Sequence, residues 1–367
     1  MVRGSDGARQ SGLRALGVES LRNLRQLRLE TDASVVVITG GNGAGKTTVL
    51  EAVYLLVRGK SFRGQKAGPL CTTGERRLSL RGRFDLPDGE PFHIRFERDR
   101  SGTKRVFDPE GGLDQSSGRL PVQIKLVSEN AQLLLDGEPE LRRRLLDWNV
   151  FHVEPRFARV HRDFRRTLAQ RNAALKGMAR HQGVWDSAFA QAAGALTAYR
   201  HAFFTHWRGE FLRLAATLPF LVDCDLRFDP GCPAGLSLEE AMAAARADEL
   251  ERGFTVIGPS RADLYIARDG RRIGFSRGQT KAVVALLQLA AEAVHRAHGR
   301  APAIFLLDDF EAELDEATAG SLWEQFSATA SQLIATRVTS RRECGLLLTR
   351  PSVDMFHVEH GVLTPTP

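Results

Sequence analysis

The residues best suited to chemistry form one glycine-rich run near the start of the sequence. The run reads Gly40-Gly41-Asn42-Gly43-Ala44-Gly45-Lys46-Thr47 and fits the pattern G-x-x-x-x-G-K-[ST] at every fixed position. Glycines let the backbone approach phosphate oxygens closely, and N–H groups at a helix start are unpaired donors. Lys46 is expected to reach the β- and γ-phosphates, and the Thr47 hydroxyl to bind Mg²⁺. The run, together with Thr48, therefore predicts a nucleotide-binding site.

Two acids late in the chain supply what a phosphate loop lacks. Asp308 and Asp309 follow the apolar run Ala303–Leu307, which is typical of a buried strand. In phosphoryl-transfer sites, an acid at this position holds Mg²⁺ and its neighbour orients the attacking water. We expect Asp308 to take the first role. Asp309 and Lys46 are the predicted catalytic residues.

A third candidate is the run Ser276-Arg277-Gly278-Gln279, which opens a segment rich in Ala, Val and Leu. Ser276 and Gln279 have the spacing of a capping box at a helix start. An exposed helix start with a serine and a glycine also suits an anion. The two interpretations are compatible, because a capped helix can still direct donors outward.

The elements that position these residues can be read from the hydrophobic pattern. The phosphate loop lies between a strand at 35–38 and a helix at 48–56, and an earlier strand is expected within 21–30. Alternating runs over 78–107 indicate an antiparallel meander, and 121–127 is a further strand. Helical patterns then extend from about 136 to 218. Strands return, and the predicted ones are 254–257, 263–266 and 332–336.

This order predicts an α/β fold in which a P-loop domain is interrupted by an insertion. Four segments are expected: a flexible leader at 1–20, the first part of the head at 21–135, a mainly helical arm or lobe at 136–250, and the second part of the head at 251–367.

The charge balance favours a polyanionic partner. The formal net charge is +7, from 51 Lys and Arg against 44 Asp and Glu. Within the helical segment, an apolar stripe begins at Phe157, and Arg159, Arg162 and Arg166 fall on the opposite face. Asp163 is the one acid nearby. These arginines predict contact with a DNA backbone, and a solvated outer face is the alternative.

Other features limit the choice of function. No apolar run is long enough for a membrane span, and residues 1–20 lack the apolar core of a secretory signal. The four cysteines are scattered without metal-ligand spacing, which favours reduced thiols in a cytoplasmic protein. His357 and His360 are three residues apart, but without another ligand set they are not expected to bind a metal. His295 and His298 are expected on a helix surface.

Taken together, the motifs resemble those of the RecF family of DNA-repair ATPases, which are related to SMC proteins and ABC transporter heads. The resemblance extends from Arg22-Asn23 to Gly361. Besides the three candidate groups, it rests on Glu51-Ala52, Ser61-Phe62-Arg63, Gly137-Glu138-Pro139, Arg143-Arg144-Leu145-Leu146-Asp147, Gln170-Arg171-Asn172, Gly258-Pro259 with Arg261 and Asp263, Glu313-Leu314-Asp315 and Met355-Phe356-His357-Val358.

The resemblance implies an ABC-type ATPase head with mixed sheets and an inserted helical arm. It implies ATP and Mg²⁺ as cofactors and a homodimer closed by ATP, in which the 276–279 run of one protomer meets the phosphates held by the other. It further implies weak, DNA-stimulated hydrolysis and binding to duplexes and duplex–single-strand junctions. RecO and RecR would be partners in loading RecA at gaps and stalled forks.

The sequence departs from the family pattern at two positions. Ala312 stands where the family usually has serine, and Ser260 where it usually has histidine or glutamine. A glutamine equivalent to that of ABC ATPases has no clear position, and Ser128-Glu129-Asn130 is the nearest candidate. Two alternatives remain open: a P-loop kinase for a small molecule, which would not need the 276–279 run, and an SMC-like nuclease head, which would need a second acidic cluster.

Overall fold

The computed structural model describes residues 11–64, 68–99, 102–107, 120–177, 183–338 and 352–366. The chain divides into two compact units. The first comprises 1–129, 277–292 and 301–367, and the second comprises 130–276 and 293–300. A mixed α/β unit is thus interrupted by a mainly helical one, which confirms the predicted fold class. No helix in the described ranges has both the length and the apolar character that crossing a membrane requires.

The first unit contains an antiparallel sheet and a mostly parallel one. The antiparallel strands are β1 (Gly12–Leu21), β2 (Leu24–Glu30), β4 (Leu78–Asp85), β5 (Pro91–Asp99) and β6 (Gly102–Phe107). The strands of the other sheet are β3 (Val35–Gly40), β7 (Ile124–Val127), β11 (Ile304–Leu307), β12 (Gln332–Val338), β13 (Val353–Glu359) and β14 (Val362–Thr366). The helices are α1 (Lys46–Arg58), α7 (Arg277–Ala297), whose last residues from 293 belong to the second unit, and α8 (Glu316–Thr329).

The antiparallel sheet has the strand order β2-β1-β4-β5-β6. One face is apolar and packs on α1, where Leu16, Leu80 and Phe96 join the core that contains Val49 and Val53. The predicted meander over 78–107 is confirmed by β4, β5 and β6. The other face carries the alternate, polar residues of the strands.

The expected flexible leader at 1–20 is wrong from residue 12 onward. Residues 12–21 form β1, which lies between β2 and β4. Leu16 and Val18 are buried in the alternating pattern of a strand, while Gly17 and Glu19 face the other way. The glycines within the segment and a register shift between Leu13 and Ala15 obscure that alternation in the sequence.

The second sheet has the order β14-β13-β3-β12-β11-β7, and β3 lies beside two strands from the last part of the chain. Strands β13, β3, β12, β11 and β7 are parallel, and β14 pairs antiparallel with β13. Parallel strands place their carboxyl ends at one edge, and the crevice at that edge is where ligands bind in such sheets. The loops after β3 and β11 leave the sheet at this edge.

A buried glutamine joins the two sheets of the first unit. The side-chain oxygen of Gln332 accepts a hydrogen bond from the N–H of Leu13 at 2.8 Å. Its Nε2 donates to the carbonyl oxygens of Leu13 at 3.0 Å and Ala33 at 2.9 Å. The amide thereby satisfies backbone groups that would otherwise be buried without partners.

The second unit contains helices and a small sheet. Its helices are α2 (Gln132–Leu135), α3 (Pro139–Val153), α4 (Phe157–Lys176), α5 (Val184–Ala215) and α6 (Leu238–Arg252), and its strands are β8 (Cys224–Asp229), β9 (Asp263–Arg268) and β10 (Arg271–Arg272). The strands form one antiparallel sheet in the order β10-β9-β8. The unit therefore reaches beyond the expected arm at 136–250, and a strand lies within that range.

The predicted strand at 254–257 does not form. The N–H of Thr255 donates to Asn172 Oδ1 at 2.9 Å, and the N–H of Val256 donates to Glu249 Oε1 at 3.0 Å. Because these backbone donors bond to side chains, they are not available for a strand ladder. The predicted strand at 263–266 is confirmed by β9.

Arginines hold the second unit together internally. Arg171, which is 1% exposed, pairs with Glu249 at 2.6 Å and with Asp186 at 2.8 Å. Arg200 bonds both carboxylate oxygens of Asp147, at 2.7 and 2.9 Å. Buried charges of this kind are tolerated only where they are paired and hydrogen-bonded.

Candidate ATP site

The phosphate loop lies between β3 and α1, as the sequence predicts. Gly41, Asn42 and Gly43 are exposed, whereas Lys46 at the start of the helix is 5% exposed. Lys46 Nζ donates to the carbonyl oxygens of Gly40 at 3.2 Å and Gly41 at 3.1 Å. The ammonium group therefore lies within the curve of the loop, where its charge can meet a phosphate.

Glycine is required at two points of this loop. Gly43 and Gly45 have φ values of 79° and 120°, which other residues adopt at a cost. A side chain at Gly45 would also press on Leu24 of β2. The sequence places glycine at both positions, so the loop conformation follows from residue type.

Asn23, in the turn between β1 and β2, holds the phosphate loop from outside. Its Nδ2 donates to the carbonyl oxygen of Gly43 at 3.1 Å, and its Oδ1 accepts from the Thr48 hydroxyl at 3.0 Å. Thr48 was predicted as an ATP-binding residue, and in the structure its hydroxyl bonds to Asn23. The family motif Arg22-Asn23 thus includes a support for the phosphate loop.

Glu51, one turn into α1, contacts residues of two other family motifs. It is fully buried, and its carboxylate pairs with Arg22 at 2.5 and 2.8 Å. The Ser61 hydroxyl also bonds to Glu51, and Arg63 lies 3.9 Å away. Three motif pieces that are separate in the sequence therefore converge on one carboxylate that stabilises the start of α1.

The C-terminal motif supports the same loop. His357 in β13 lies opposite Thr39 in β3, and the Thr39 hydroxyl donates to the carbonyl oxygen of Phe356 at 3.1 Å. Gly40 passes so close to Val358 that a side chain there would collide with the Val358 carbonyl oxygen. No role for this motif is predicted from its residues alone. The structure shows that it flanks the strand leading into the phosphate loop.

Asp308 faces the phosphate loop from the end of β11. It is 1% exposed, and its Oδ1 accepts from the Thr47 hydroxyl at 3.0 Å and from the Thr336 hydroxyl at 2.9 Å. The structure thus brings together the two predicted Mg²⁺ ligands, Thr47 and Asp308. A hydroxyl and a carboxylate are hard oxygen donors of the kind Mg²⁺ prefers, so this pair fits the ion.

Thr336 is a site residue that the sequence analysis missed. It lies fully buried in β12 and accepts a hydrogen bond from the Asp309 N–H at 2.7 Å while donating to Asp308. One hydroxyl therefore fixes both acids. The signal in the sequence was a polar residue late in an otherwise apolar strand.

Asp309 has the geometry expected of a group kept for a ligand. Its φ is +40°, which is uncommon for a residue other than glycine. Its Oδ1 is buried and makes no hydrogen bond to the described part of the chain. A buried acceptor without a partner costs free energy unless a water or ligand satisfies it. This observation fits the predicted role of orienting a water molecule.

The loop after Asp309 packs on the start of α7 within the same protomer. Lys281 Nζ donates to the carbonyl oxygens of Asp309 at 2.6 Å and Ala312 at 3.3 Å. Gly278 lies so close to the Glu313 carbonyl oxygen that a side chain would collide with it. Gly278 is therefore fixed by packing inside its own chain, and the predicted trans role of the run does not account for it alone.

The other members of that run differ in exposure. Ser276 and Arg277 are exposed, and Gln279 is half-buried. Arg277 lies 3.7 Å from Glu313. Contact of this run with a second protomer stays a prediction.

Asp315 of the Glu313-Leu314-Asp315 motif has a structural role. It is the N-cap of α8, and its Oδ1 accepts from the N–H of Thr318 at 2.9 Å. This bond lowers the pKa of the Asp315 carboxyl. The motif thus begins a helix directly after the loop that follows Asp309.

Lys125 is a buried cation in β7, the edge strand of the mostly parallel sheet. Burial lowers its pKa to about 8, against the raising effect of Glu292, whose carboxylate lies 3.7 Å away. Glu292 also accepts from the N–H of Ala303 at 2.9 Å, at the entrance to β11.

The predicted DNA-contacting arginines lie on the exposed face of α4, and Phe157 and Phe164 are buried on the other face. Arg159 and Arg166 lie 3.8 and 3.3 Å from Asp163, so that one acid partly neutralises both. Their contact with DNA stays a prediction. Arg142 pairs with Asp263 at 2.6 Å and Arg144 with Glu140 at 2.6 Å, so both bond within the second unit.

His295 does not lie on a helix surface as expected. It is 1% exposed, and its Nε2 lies 3.2 Å from the carbonyl oxygen of Asn149. His298 is exposed. No group of three or more His, Cys, Asp or Glu side chains within the described ranges is arranged to hold a metal ion.

The architecture agrees with comparisons to known proteins. The family model described as RecF/RecN/SMC N terminal domain matches residues 12–363. The chain belongs to the RecF family. It is 32% identical over 364 residues to the DNA replication and repair protein RecF of Pseudomonas aeruginosa strain LESB58, covering 96% of this chain and 98% of that one. It is 34% identical over 358 residues to RecF of Thioalkalivibrio sulfidiphilus strain HL-EbGR7, with the same coverage.

Solved structures show the same fold. The recombination mediator protein RecF with ATP, from the RecFOR pathway, superposes with a TM-score of 0.78 at 21% identity, over 100% of both chains. An Smc head bound to the C-terminal domain of ScpA, from Pyrococcus furiosus, gives a TM-score of 0.55 at 14% identity over 97% and 96% of the two chains. The resemblance found in the sequence motifs is confirmed at the level of family and fold.

Proposed function

We propose that this chain is an ATP-dependent DNA-binding protein of replication and repair, in which ATP closes a homodimer on DNA. The observation that carries the proposal is the convergence of Lys46, Thr47, Asp308 and Asp309 at one edge of the parallel sheet. The family relationship supports the DNA partner. Because chromosomal DNA is that partner, we place the protein in the cytoplasm.

Within one protomer, each residue has a separable role. The phosphate loop and Lys46 bind the phosphates, and the Thr47 hydroxyl and Asp308 carboxylate hold Mg²⁺. The bound ion would neutralise the charge that develops on the phosphates. Asp309 orients the attacking water through its Oδ1, which accepts no hydrogen bond from the residues that the structure describes. Thr336 and Lys281 position that acid through its backbone N–H and carbonyl groups.

A second protomer is proposed to complete the site. The exposed Ser276 and Arg277 at the start of α7 would meet the γ-phosphate held by the partner subunit. Hydrolysis then removes the charge that joins the two heads, and the dimer opens. Turnover is expected to be slow and stimulated by DNA. RecO and RecR would act with the closed dimer on gaps and stalled forks to load RecA.

Light scattering tests the composite site. Lys46→Arg should reduce ATP-driven dimerisation. Ser276→Arg should abolish dimerisation while leaving ATP binding by the monomer intact. The control is Ser260→Arg, which makes the same change at a half-buried serine outside the 276–279 run. Equal ATP-dependent dimers for Ser276→Arg and wild type would show that the site is complete within one protomer.

An ATPase assay tests the DNA partner. The rate of hydrolysis should rise with duplex and gapped DNA and more weakly with single strands. A rate that no DNA changes, together with phosphate transfer to a small molecule, would favour the P-loop kinase instead.

A further inference from the structure

The exposed face of the antiparallel sheet carries a row of arginines. Arg28 in β2 and Arg81 in β4 both lie opposite Gly17 in β1, and Arg95 in β5 lies opposite Arg81. All three arginines are exposed. Because adjacent strands are about 4.8 Å apart, the row from Arg28 to Arg95 spans roughly 14 Å across three strand spacings.

The next row adds further basic groups. Arg83 in β4 is exposed and lies opposite His93 in β5 and Ala15 in β1. Glu30, at the end of β2, is the acid in this row. The four arginines at 28, 81, 83 and 95, hereafter the sheet-face arginines, form no side-chain ion pair or hydrogen bond with any described residue.

Acids are confined to the margin of the face. Glu19 and Glu97 lie in the row on the other side of Arg81. Glu97 lies opposite Lys104 in β6 and pairs with Arg77 at 2.7 Å, so these two cations already neutralise the negative charge of Glu97. The centre of the face therefore keeps an uncompensated positive charge.

This arrangement opposes the stability of the sheet. Like charges directly opposite each other in an antiparallel pair are destabilising, and Arg81 and Arg95 have that relation. The small residues Ala15 and Gly17 leave a depression beside these arginines, of about 610 Å³ on the side of β4, β5 and β6. The face thus offers a shallow, basic concavity with little side-chain bulk at its floor.

We propose that the sheet-face arginines bind the phosphate backbone of duplex DNA. Arginine matches phosphate with a planar fork of donors, and a duplex presents one negative charge per about 1.7 Å of its axis. Phe107, the one phenylalanine beside the depression, is half-buried and stacks on Phe92. Among the described residues, the face therefore carries no exposed Phe, Tyr or Trp ring on which unpaired bases would stack, which favours a duplex over a single strand.

This inference rests on the proposed DNA partner and moves the contact away from α4. Fluorescence anisotropy with a labelled 30-base-pair duplex, over a range of salt concentrations, tests it in the full chain. The sheet variant is Arg28→Gln/Arg81→Gln/Arg95→Gln. The matched variant on α4 is Arg159→Gln/Arg162→Gln/Arg166→Gln, which removes the same charge from another exposed surface.

The sheet variant should bind the duplex at least tenfold more weakly near 100 mM salt, and its salt slope should fall by about 2.7, because each phosphate contact contributes about 0.9. The α4 variant should change the salt slope by less than about 0.9, which is the contribution of one phosphate contact. A thermal midpoint of the sheet variant equal to or above that of wild type establishes that the loss is not unfolding.

The outcomes are distinguishable from failure of the proposed function. Wild-type protein that does not bind the duplex would refute the proposed DNA partner itself. Wild-type binding that the sheet variant retains, with an unchanged slope, would overturn this inference and leave an acidic protein as the occupant of the face. Equal affinity of the wild type for a matched single strand would also overturn the choice of a duplex.

Discussion

The buried arginines of the second unit and the sheet-face arginines of the first unit have opposite surroundings. In the second unit, Arg171 and Arg200 are buried and each meets carboxylates at hydrogen-bonding distance. In the first unit, Arg28, Arg81 and Arg95 are exposed on one sheet face, and no acid of the described ranges lies at such a distance from them. The guanidinium groups of the second unit bond to carboxylates of the chain, whereas those of the sheet face are exposed to solvent.

The difference separates residues that build the fold from residues available to a ligand. A buried guanidinium must be paired within the chain, because burial of an unpaired charge is expensive. An exposed row of like charges stabilises nothing in the free protein. Basic composition alone therefore indicates little about where a polyanion binds, and the partners of each arginine indicate much more.

The largest effect is expected from breaking a buried pair. Arg171→Met should lower the stability of the second unit by about 3–5 kcal/mol, because Glu249 would remain fully buried without its partner. Urea denaturation followed by circular dichroism measures the change. Arg213→Met removes an exposed arginine paired with Glu210 and should cost under about 1 kcal/mol. Equal costs for the two variants would contradict the distinction.

A buried polar residue of the first unit should affect the reaction more than the fold. Thr336→Val removes the hydroxyl that fixes Asp308 and Asp309, so ATP hydrolysis should fall about tenfold or more, equivalent to about 1.4 kcal/mol in the barrier. ATP affinity should change much less. Thr336→Ser keeps the hydroxyl and should restore most of the rate. If both variants hydrolyse ATP at the wild-type rate, Thr336 does not position the acids.

Lys125 tests a buried cation in the first unit through its pH dependence. Its pKa is lowered to about 8 in the folded state, so between about pH 8 and 10.5 the unfolded chain binds more protons than the folded one. The contribution of Lys125 to the free energy of unfolding is therefore unfavourable below pH 8 and improves as the pH rises. Across this window, the thermal midpoint of Lys125→Met should rise less with pH than the thermal midpoint of the wild type does. Parallel pH profiles for the two proteins would mean that Lys125 titrates normally.

The smallest effect is expected on the sheet face itself. Arg81→Gln should leave stability unchanged or raise it by about 0.2–1 kcal/mol, because it removes the repulsion from Arg95 across the strand pair. Arg144→Gln, which removes an exposed arginine bonded to Glu140, should lower stability by a few tenths of a kcal/mol. Thermal midpoints distinguish the two signs. A clear loss of stability for Arg81→Gln would place this arginine among the structural ones.

Much of the site could be predicted because its residues act locally. The phosphate loop needs glycines at fixed positions, so Gly43 and Gly45 can be recognised from spacing alone. Asp308 follows a short apolar strand, and both features are visible in one stretch of sequence. The strand–loop–helix order and the meander over 78–107 were predictable for the same reason.

Features that depend on distant partners could not be predicted. Thr336 contacts the two acids only because β12 lies beside β11, and the sequence of neither strand specifies that pairing. The strand expected at 254–257 fails because Asn172 and Glu249 take its backbone donors. The row of sheet-face arginines depends on the register of four strands, since alternation identifies the exposed face of each strand but not which residues stand opposite.

The position of β3 in its sheet has a consequence for how the chain folds during synthesis. The strand leading to the phosphate loop lies between β12 and β13, so its hydrogen-bonding partners are made roughly three hundred residues after it. Until then, both edges of an apolar strand lack partners, which is the condition that favours aggregation.

The second unit has no such delay. Most of it is one continuous segment, 130–276, whose buried pairs between residues 142 and 263 or between 171 and 249 close within that segment. It can therefore fold on the ribosome while the first unit is still incomplete. The edges of β3 therefore stay without their strand partners until residues 332–358 emerge, and the inserted unit can already be folded at that point.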